Sequence, residues 1–199
     1  MNIIGASGHG KVIVDILQCC KVEISGIWDD NEQVKVFMGF PVRGTIKDCI
    51  QARPADLIIA VGRNDIRKKI AEQFNATVFG KAIHPSAVLS RDVITGVGTV
   101  VMANGTINVG SKIGKHVIIN THASIDHDCI IRDYVHISPQ AGLAGNVEVG
   151  EGTHIGIGAS IIQGIKIGKW CTIGAGTVVI KDVPDGTTVV GNPGRIIKP

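Results

Sequence analysis

A histidine between two carboxylates, Asp126-His127-Asp128, is the arrangement in this sequence that is best suited to chemistry. Histidine has a pKa near neutrality and can take a proton from a reacting group. The flanking carboxylates can orient its ring and stabilise its protonated form. An isolated histidine is more simply read as a polar surface side chain, so the case for His127 depends on the element that carries it.

That element is a six-residue repeat, which runs without interruption from about residue 83 to residue 182. An α-helix cannot explain the period, because six residues make about 1.67 helical turns and would scatter the repeated positions around the helix. The repeat predicts a parallel β-helix, a triangular coil with three hexads, or about 18 residues, per turn and a spacing of about 4.8 Å between coils. Every sixth side chain points inward, and only Thr95 is not aliphatic: Ile83, Leu89, Thr95, Val101, Ile107, Ile113, Ile119, Ile125, Ile131, Ile137, Leu143, Val149, Ile155, Ile161, Ile167, Ile173 and Val179. His127 follows Ile125 by two residues and is therefore predicted to point outward.

Two further positions of the hexad are restricted in size. Four residues after each inward position the side chain is small or medium, and Cys129 and Cys171 in this phase are predicted to be buried packing residues. The residue that directly follows the inward position is often glycine. These glycines are predicted to serve the corners of the coil, where φ can be positive: Gly114, Gly150, Gly156, Gly168 and Gly174.

The first eighty residues follow a different pattern, with apolar runs and helical stretches in alternation. Strands are predicted over 2–5, 24–28 and 57–61, and helices over 11–19 and 65–74. Strand, turn and helix in this order predict a small parallel α/β unit of the Rossmann-like type. We therefore divide the chain into an α/β domain, 1–80, and a β-helix domain, 81–199.

A glycine turn, Gly5-x-x-Gly8-x-Gly10, opens the first predicted helix. It departs from the G-x-G-x-x-G fingerprint, so NAD binding is poorly supported. A glycine turn before a helix still offers free backbone N–H groups to a phosphate, and Asp29-Asp30 ends the next strand, where a ribose or base contact is usual. From the residues alone, nucleotide binding and a plain strand-to-helix turn both remain open.

The composition narrows the class of protein. The chain of 199 residues is 44% hydrophobic but only 4% aromatic and contains 26 glycines, which indicates an ordered aliphatic core. A net charge of +3 without an arginine-rich stripe argues against nucleic acid as a partner. No apolar run approaches the roughly 20 residues of a membrane span, and we expect no signal peptide. Five cysteines without a disulfide framework predict a reduced, cytoplasmic protein.

The hexads resemble the left-handed β-helix of hexapeptide-repeat acyltransferases, and the left hand comes from this resemblance alone, because the general crossover rule favours the right hand. The end of the chain, Val190-Gly191-Asn192-Pro193-Gly194-Arg195, is similar to the segment that closes this helix in acetyltransferases. Motifs over nearly the whole chain resemble the sugar-nucleotide acetyltransferases of bacterial glycan pathways, which include bacillosamine-type enzymes that N-acetylate a UDP-4-amino-sugar. These motifs are residues 5–10, 29–30, 59–70 and 119–129. Enzymes that acetylate GDP-perosamine and sialic acid O-acetyltransferases share the architecture.

The resemblance implies an acetyl-CoA-dependent N-acetyltransferase that acts, as a homotrimer and without a metal, on the 4-amino group of a nucleotide-linked amino-deoxy sugar. It favours UDP over GDP as the nucleotide, with a GDP-perosamine-type sugar as the alternative. It makes His127 the general base and Asp128 its acidic partner, at a position where the family usually has Glu. The residues implied in substrate binding are Gly8, His9, Asp29, Asp30, Gly62, Asn64 and Asn120. The residues implied in acetyl-CoA binding are His136, Gly145 and Ile157. The backbone N–H of Gly145 would serve as an oxyanion donor. His154 should stack beside His136 on the next coil, and no role is assigned to it.

Other functions remain as alternatives. Transfer to a sugar hydroxyl is the nearest one, since the residues do not exclude O-acetylation. A zinc hydratase on the same fold would need three histidines; His122 and His127 have the right spacing, but the third position is Ser86. A non-catalytic binding protein would have no need of the Asp-His-Asp corner. The basic residues that could meet the phosphates of coenzyme A or form a solvated rim are Lys166, Lys169, Lys181, Arg195 and Lys198.

Overall fold

The computed structural model describes residues 1–74 and 79–198, which form a small α/β unit followed by a long β-helix. The α/β unit has a five-stranded sheet in the order β3-β4-β2-β1-β5, and β1 pairs in parallel with both β2 and β5. The strands are β1 (Asn2–Ile4), β2 (Gly26–Trp28), β3 (Val36–Phe37), β4 (Phe40–Gly44) and β5 (Leu57–Ile59). The helices are α1 (Gly8–Cys19), α2 (Ile46–Ala52) and α3 (Asn64–Ala71). The predicted parallel α/β unit is confirmed, with its helix and strand ends shifted by up to three residues.

Three elements of this unit were not predicted, the strands β3 and β4 and the helix α2. Strands β3 and β4 form an antiparallel hairpin, and the two residues between them, Met38 and Gly39, both have positive φ. Helix α2 begins with a capping box, in which Thr45 accepts from the N–H of Asp48 and the Asp48 carboxylate accepts from the N–H of Thr45. The Thr-x-x-Asp spacing is visible in the sequence, so this helix start could have been found there.

The β-helix consists of two-residue strands that recur every six residues and pair in parallel with the strand one coil away. Three sheets form its faces. For brevity, we name them the α/β-facing sheet, which packs against the α/β unit, and the second and third sheets, in chain order. The strands of the α/β-facing sheet are β6 (Ala82–Ile83), β9 (Val100–Val101), β12 (Ile118–Ile119), β15 (His136–Ile137), β18 (His154–Ile155) and β21 (Thr172–Ile173), followed by β23 (Thr188–Val190) and β24 (Arg195–Lys198). The second sheet has β7 (Val88–Leu89), β10 (Thr106–Ile107), β13 (Ser124–Ile125), β16 (Gly142–Leu143), β19 (Ser160–Ile161) and β22 (Val178–Val179). The third has β8 (Ile94–Thr95), β11 (Lys112–Ile113), β14 (Ile130–Ile131), β17 (Glu148–Val149) and β20 (Lys166–Ile167).

The predicted register is confirmed, because Ile119 pairs with Ile137 and Ile137 with Ile155. From Val101 to Val179 the inward side chains are at most 4% exposed and form one continuous core. Cys129 and Cys171 are buried in it, as predicted.

Some of the small residues that lie four positions after an inward side chain are polar, and their buried hydroxyls explain why. Thr99, Ser111 and Thr153 are buried, and each hydroxyl accepts from a backbone N–H of the next coil and donates to a carbonyl there. These bonds satisfy corner backbone groups that the parallel ladders leave without partners.

The prediction that the glycines directly after the inward position are needed for positive φ was wrong. Positive φ occurs three residues after the inward position, for example at Gly158 (φ 64°) and Asp128 (φ 59°), and not at the glycines that directly follow it. Those glycines are required by close packing between coils: a Cβ atom on Gly150 would lie 2.5 Å from the backbone of Gly168. Both kinds of position belong to one corner, which is why the sequence pattern did not separate them.

The α/β unit packs on the α/β-facing sheet through an apolar cluster that joins helix α1 and strand β1 to outward side chains of the β-helix. The β-helix contributes Ala82, Val100, Met102 and Ile118. No helix in the described residues is long and apolar enough to cross a membrane.

Candidate active site

His127 lies at the corner between the second and third sheets, two residues after the inward Ile125. Its side chain is 49% exposed, and its Nδ1 atom is 2.9 Å from Oδ2 of Asp128. Aspartate is one methylene shorter than the glutamate that the resembled family usually has at this position, yet its carboxylate reaches the ring. The Nε2 atom has no protein partner among the described residues and is free to act as a base.

The backbone around His127 is held by Asp126 and by two residues that the sequence did not single out, Asn108 and Ser111. Asp126 Oδ1 accepts from the N–H of His127 at 2.8 Å and from Asn108 Nδ2 at 2.9 Å. From inside the coil, the Ser111 hydroxyl donates to Asp126 O and accepts from the N–H of Cys129. The corner is therefore bonded on both sides, and His127 projects from a rigid support.

The carboxylates make His127 a stronger base. Its pKa is raised, chiefly by the hydrogen bond from Nδ1 to Asp128; desolvation opposes this, and the charges of Asp126 and Asp128 raise the pKa further. The pKa of Asp126 is lowered, mainly by the hydrogen bond from Asn108. Asp126 therefore stays ionised beside the histidine.

Gly145 lies one coil further along the same corner, directly against the His127 ring. A Cβ atom on Gly145 would be 2.5 Å from both Cε1 and Nε2 of His127, so only glycine leaves the ring in place. Within residues 1–74 and 79–198 no group accepts a hydrogen bond from the N–H of Gly145. A residue with an unbonded N–H that packs against the ring of a base is a candidate oxyanion donor.

A second set of predicted residues lines a cavity of about 690 Å³ between the α/β unit and the β-helix. The α/β unit contributes the first turns of α1 and α3, including His9, Gly62 and Asn64. The β-helix contributes His136 and His154, whose rings meet edge to face at 4.9 Å. The predicted stacking of these two histidines on adjacent coils is confirmed by their direct pairing.

The cavity histidines are neutral at physiological pH. Burial lowers the pKa of His136 to about 3 and that of His9 to about 4, with the charge of Arg67 contributing to both. The orientation of Asn120 follows from its Oδ1 atom, which accepts from the N–H of Thr121. Its Nδ2 atom therefore donates to Nε2 of His136 at 3.0 Å, which leaves the proton of His136 on Nδ1 as a donor.

Other predicted substrate residues have protein partners. Asp29 accepts from the N–H groups of Ala6 and Asn31, and so supports the glycine turn. Asp30 accepts from the N–H of Ile46 at the start of α2. Gly8 is the first residue of α1, which begins without a side-chain cap and has no acidic residue in its first turn.

The two sets of residues lie at different places on one chain. His127 and Gly145 are at the corner between the second and third sheets, whereas His9 and His136 are at the α/β-facing sheet. Ile157 is 52% exposed at the corner between the α/β-facing and second sheets. One chain therefore does not bring the predicted base and the predicted substrate cavity together.

The basic residues are dispersed. Lys166 and Lys169 line a groove of about 760 Å³ on the third sheet together with acidic residues such as Glu148, Asp182 and Asp185. Arg195 and Lys198 lie on the exposed strand β24.

The zinc alternative gains no support. His122 lies in one corner column with Asn104 and Ser86, which are joined by hydrogen bonds, so the place of a third histidine is taken by a serine as predicted. The group of three possible metal ligands in the described part of the chain is Asp15, Cys19 and His84, away from His127. In this group of three, Nδ1 of His84 accepts from the N–H of Ser86 and therefore carries no proton, so the neutral ring has its proton on Nε2.

Comparisons with known proteins agree with this architecture. Residues 1–74 match the PglD N-terminal domain family, and residues 146–181 match the bacterial transferase hexapeptide family, six repeats. The acetyltransferase domain of PglB from Neisseria gonorrhoeae FA1090, solved in complex with acetyl coenzyme A, is 40% identical with a TM-score of 0.94 and coverage of 98% of each chain. The chain belongs to the PglD-type hexapeptide-repeat acetyltransferases. Its β-helix is accordingly the left-handed β-helix of that family.

Sequence relatives include members with different named substrates. UDP-N-acetylbacillosamine N-acetyltransferase of Bacillus subtilis (strain 168) is 43% identical over 51% of this chain and 50% of its own length. GDP-perosamine N-acetyltransferase of Escherichia coli O157:H7 is 32% identical over 72% of this chain and 69% of its own length. The match to protein L142 of Acanthamoeba polyphaga mimivirus, at 32% identity, spans 59% of this chain and 24% of that longer protein. The chain thus spans half or less of two of these relatives.

Proposed function

We propose that this acetyltransferase transfers the acetyl group of acetyl-CoA to the 4-amino group of a nucleotide-linked amino-deoxy sugar in bacterial glycan biosynthesis. The observation that carries the proposal is the His127 corner. There, Nδ1 of the exposed imidazole is bonded to a carboxylate, and the ring packs against Gly145, whose backbone N–H has no acceptor among the described residues. The gonococcal acetyltransferase domain, solved in complex with acetyl coenzyme A, and the two N-acetyltransferase relatives support the same chemistry.

The corner supplies the groups that direct acyl transfer needs. The sugar amine attacks the thioester carbonyl, and Nε2 of His127 takes the proton that the amine loses. The N–H of Gly145 donates to the oxygen that becomes negative in the tetrahedral intermediate. The C–N bond is then complete, the C–S bond breaks, and the coenzyme A thiolate recovers the proton from His127, without a covalent enzyme intermediate.

The interdomain cavity is proposed to bind the nucleotide-sugar. Helix α1 begins there without a side-chain cap and α3 begins beside it, so backbone N–H groups at two helix starts face the same space. Such N–H groups bind phosphate well. His9, Gly62, Asn64 and Asn120 would contact the nucleotide or sugar, whereas Asp29 and Asp30 would act through the glycine turn and the start of α2.

We favour UDP over GDP because the bacillosamine-type relative is the more similar in sequence, at 43% against 32% identity. A GDP-perosamine-type sugar is the alternative that the Escherichia coli relative favours. Acetylation of a sugar hydroxyl, as in sialic acid O-acetylation, would use the same corner with a different acceptor.

A homotrimer would complete the site. Because His127 and the cavity lie at different places on one prism, a neighbouring copy must present its corner to the cavity, and three copies close such a head-to-tail contact into a ring. His136 and Ile157 would then contact acetyl-CoA from one chain, opposite His127 and Gly145 of the next. We place the reaction in the cytoplasm, as the cysteine usage predicts.

The test is coenzyme A release, followed with a thiol reagent. Acetyl-CoA is offered with a UDP-linked 4-amino-4,6-dideoxy sugar, then with its GDP-linked counterpart, using wild type, His127→Ala and His122→Asn. We expect rapid release with the UDP sugar, a loss of about 10²-fold or more in His127→Ala, and wild-type rates in His122→Asn, a matched exposed corner histidine. Release that survives in His127→Ala would refute the proposed base, and activity confined to hydroxyl acceptors would replace N- by O-acetylation.

A further inference from the structure

Arg67 of helix α3 is a buried cation with an unusual set of partners. Arg67 is 1% exposed, and its guanidinium donates five hydrogen bonds, all to neutral oxygen atoms. Within the described residues no carboxylate pairs with it, and burial lowers its pKa to about 9. Burying a guanidinium costs desolvation free energy unless all its N–H groups find acceptors. Because these N–H groups have fixed directions in one plane, their acceptors must also be held in fixed positions.

The five acceptors belong to two structural units. On the α/β unit they are Val61 O and Gly62 O, at 3.0 and 3.1 Å, in the loop that lines the interdomain cavity. On the β-helix they are His116 O and Tyr134 O, both at 2.8 Å, on two successive coils. One rigid, planar group thus joins the wall of the cavity to the β-helix.

The fifth bond extends this connection to a third coil. Arg67 donates to Oδ1 of Asn64 at 2.9 Å, and Nδ2 of Asn64 donates to the carbonyls of Gly152 and Thr153. His116, Tyr134 and Gly152 occupy the same position in successive coils, so the start of helix α3 is attached along one corner of the β-helix.

The neighbouring Lys68 contacts the same corner. Gly152 has no side chain where Tyr134 and Trp170 carry rings, and the Trp170 ring occupies the space that a Cβ atom of Gly152 would need. The Lys68 ammonium lies 5.9 Å from the Tyr134 ring and 5.5 Å from the Trp170 ring and pairs with Glu151. This contact fixes the direction of the helix that carries Arg67.

We propose that Arg67 is a positioning residue for nucleotide-sugar binding: it holds the loop 61–63 at a set distance from His136 and His154 across the cavity. This inference rests on the proposed function of the cavity. A guanidinium that only joined the two units would have no need of the cavity-loop carbonyls, yet two of its five bonds go to them. The position of the loop also sets where the N–H groups at the start of α3 meet the ligand.

The test uses Arg67→Lys, which keeps the charge but loses the planar fork, and Arg67→Gln, which avoids an unpaired buried charge. Lys69→Met, an exposed position on the same helix, is the matched control. We expect KM for the nucleotide-sugar to rise about tenfold in both variants, with KM for acetyl-CoA and kcat within about twofold of wild type. Parallel loss of all three parameters with a lower melting temperature would indicate a purely structural role and overturn the inference.

A second readout does not depend on catalysis. Amide hydrogen exchange in the segment 59–64 should quicken about tenfold in Arg67→Lys, while exchange in the β-helix core around 130–150 stays unchanged. Unchanged exchange in 59–64, or failure of both Arg67 variants to fold, would overturn the inference. Absence of turnover in the wild type with either nucleotide-sugar would refute the proposed function instead, and the exchange result would then decide the role of Arg67.

Discussion

Asp128 is the residue that most directly tunes the proposed base, because the hydrogen bond with its carboxylate is the largest cause that raises the pKa of His127. The base must be neutral to accept a proton, so kcat/KM should rise with pH through this raised pKa. Asp128→Asn removes the charge, lowers the pKa of His127 and moves the acid limb of the profile to lower pH. The weaker base should also reduce the plateau rate, by about tenfold. A pH series of initial rates measures both effects.

Asparagine is suited to this test because Asp128 has a positive φ of 59°, a conformation that asparagine tolerates well. The fold should therefore remain intact, which circular dichroism can check. An acid limb that stays in place in Asp128→Asn would show that His127 is not the titrating group, or that Asp126 alone sets its pKa.

Gly145 offers a second prediction at the residue scale. In Gly145→Ala the new methyl group would meet Cε1 and Nε2 of His127 at 2.5 Å, so the ring must turn away from its present position against Gly145. We expect kcat to fall by about 10²-fold with little change in melting temperature, since His127 is exposed. The matched control is Gly142→Ala, in which the nearest atom would be Ser124 Oγ at 3.5 Å. Equal activity of the two variants would contradict the tight placement of the ring.

At the scale of the element, two kinds of glycine in the β-helix should respond differently to alanine. Gly150→Ala would place Cβ 2.5 Å from the backbone of the next coil and force the coils apart. Gly158 faces open space at φ 64°, so Gly158→Ala has only backbone strain to overcome, about 1 kcal/mol. We expect Gly150→Ala to lower the free energy of unfolding by about 2–3 kcal/mol more than Gly158→Ala does.

Denaturant unfolding at one fixed protein concentration measures this difference, because any assembly makes stability depend on concentration. Gly158→Asn serves as the control, since asparagine adopts positive φ more readily than alanine and should recover part of the loss. Equal destabilisation by the two alanine substitutions would mean that the coils can separate without cost.

The element scale also shows what the sequence can and cannot predict. The inward hexad residues determine the coil, the register and the outward direction of His127, because each depends only on the six-residue spacing along the chain. Two of the five acceptors of Arg67 are backbone carbonyl groups 49 and 67 residues away in the chain, and the sequence gives no sign of which carbonyls a side chain will reach. Asp29 and Asn64 were predicted as substrate residues from resemblance, and only the structure shows the backbone groups that they bond.

At the scale of the whole molecule, the separation of His127 from the interdomain cavity is the main argument for the proposed homotrimer. The triangular cross-section places the corner at the second and third sheets away from the sheet that packs on the α/β unit. If the site is shared, each reaction uses the corner of one chain and the cavity of another. A monomeric mass by light scattering under assay conditions would contradict this arrangement.

Mixed assemblies give the sharper test of sharing. His127→Ala lacks the base, and His9→Trp would fill the cavity, so each variant alone should be inactive. When both are coexpressed in equal amounts, a chain with an intact corner will face a chain with an intact cavity at about a quarter of the shared sites, so about a quarter of wild-type activity should return. If each chain instead used its own corner and cavity, every site would carry one lesion and activity would stay absent. Mixing the two purified proteins without exchange of chains is the control and should restore nothing, because recovery requires that both chains enter the same assembly.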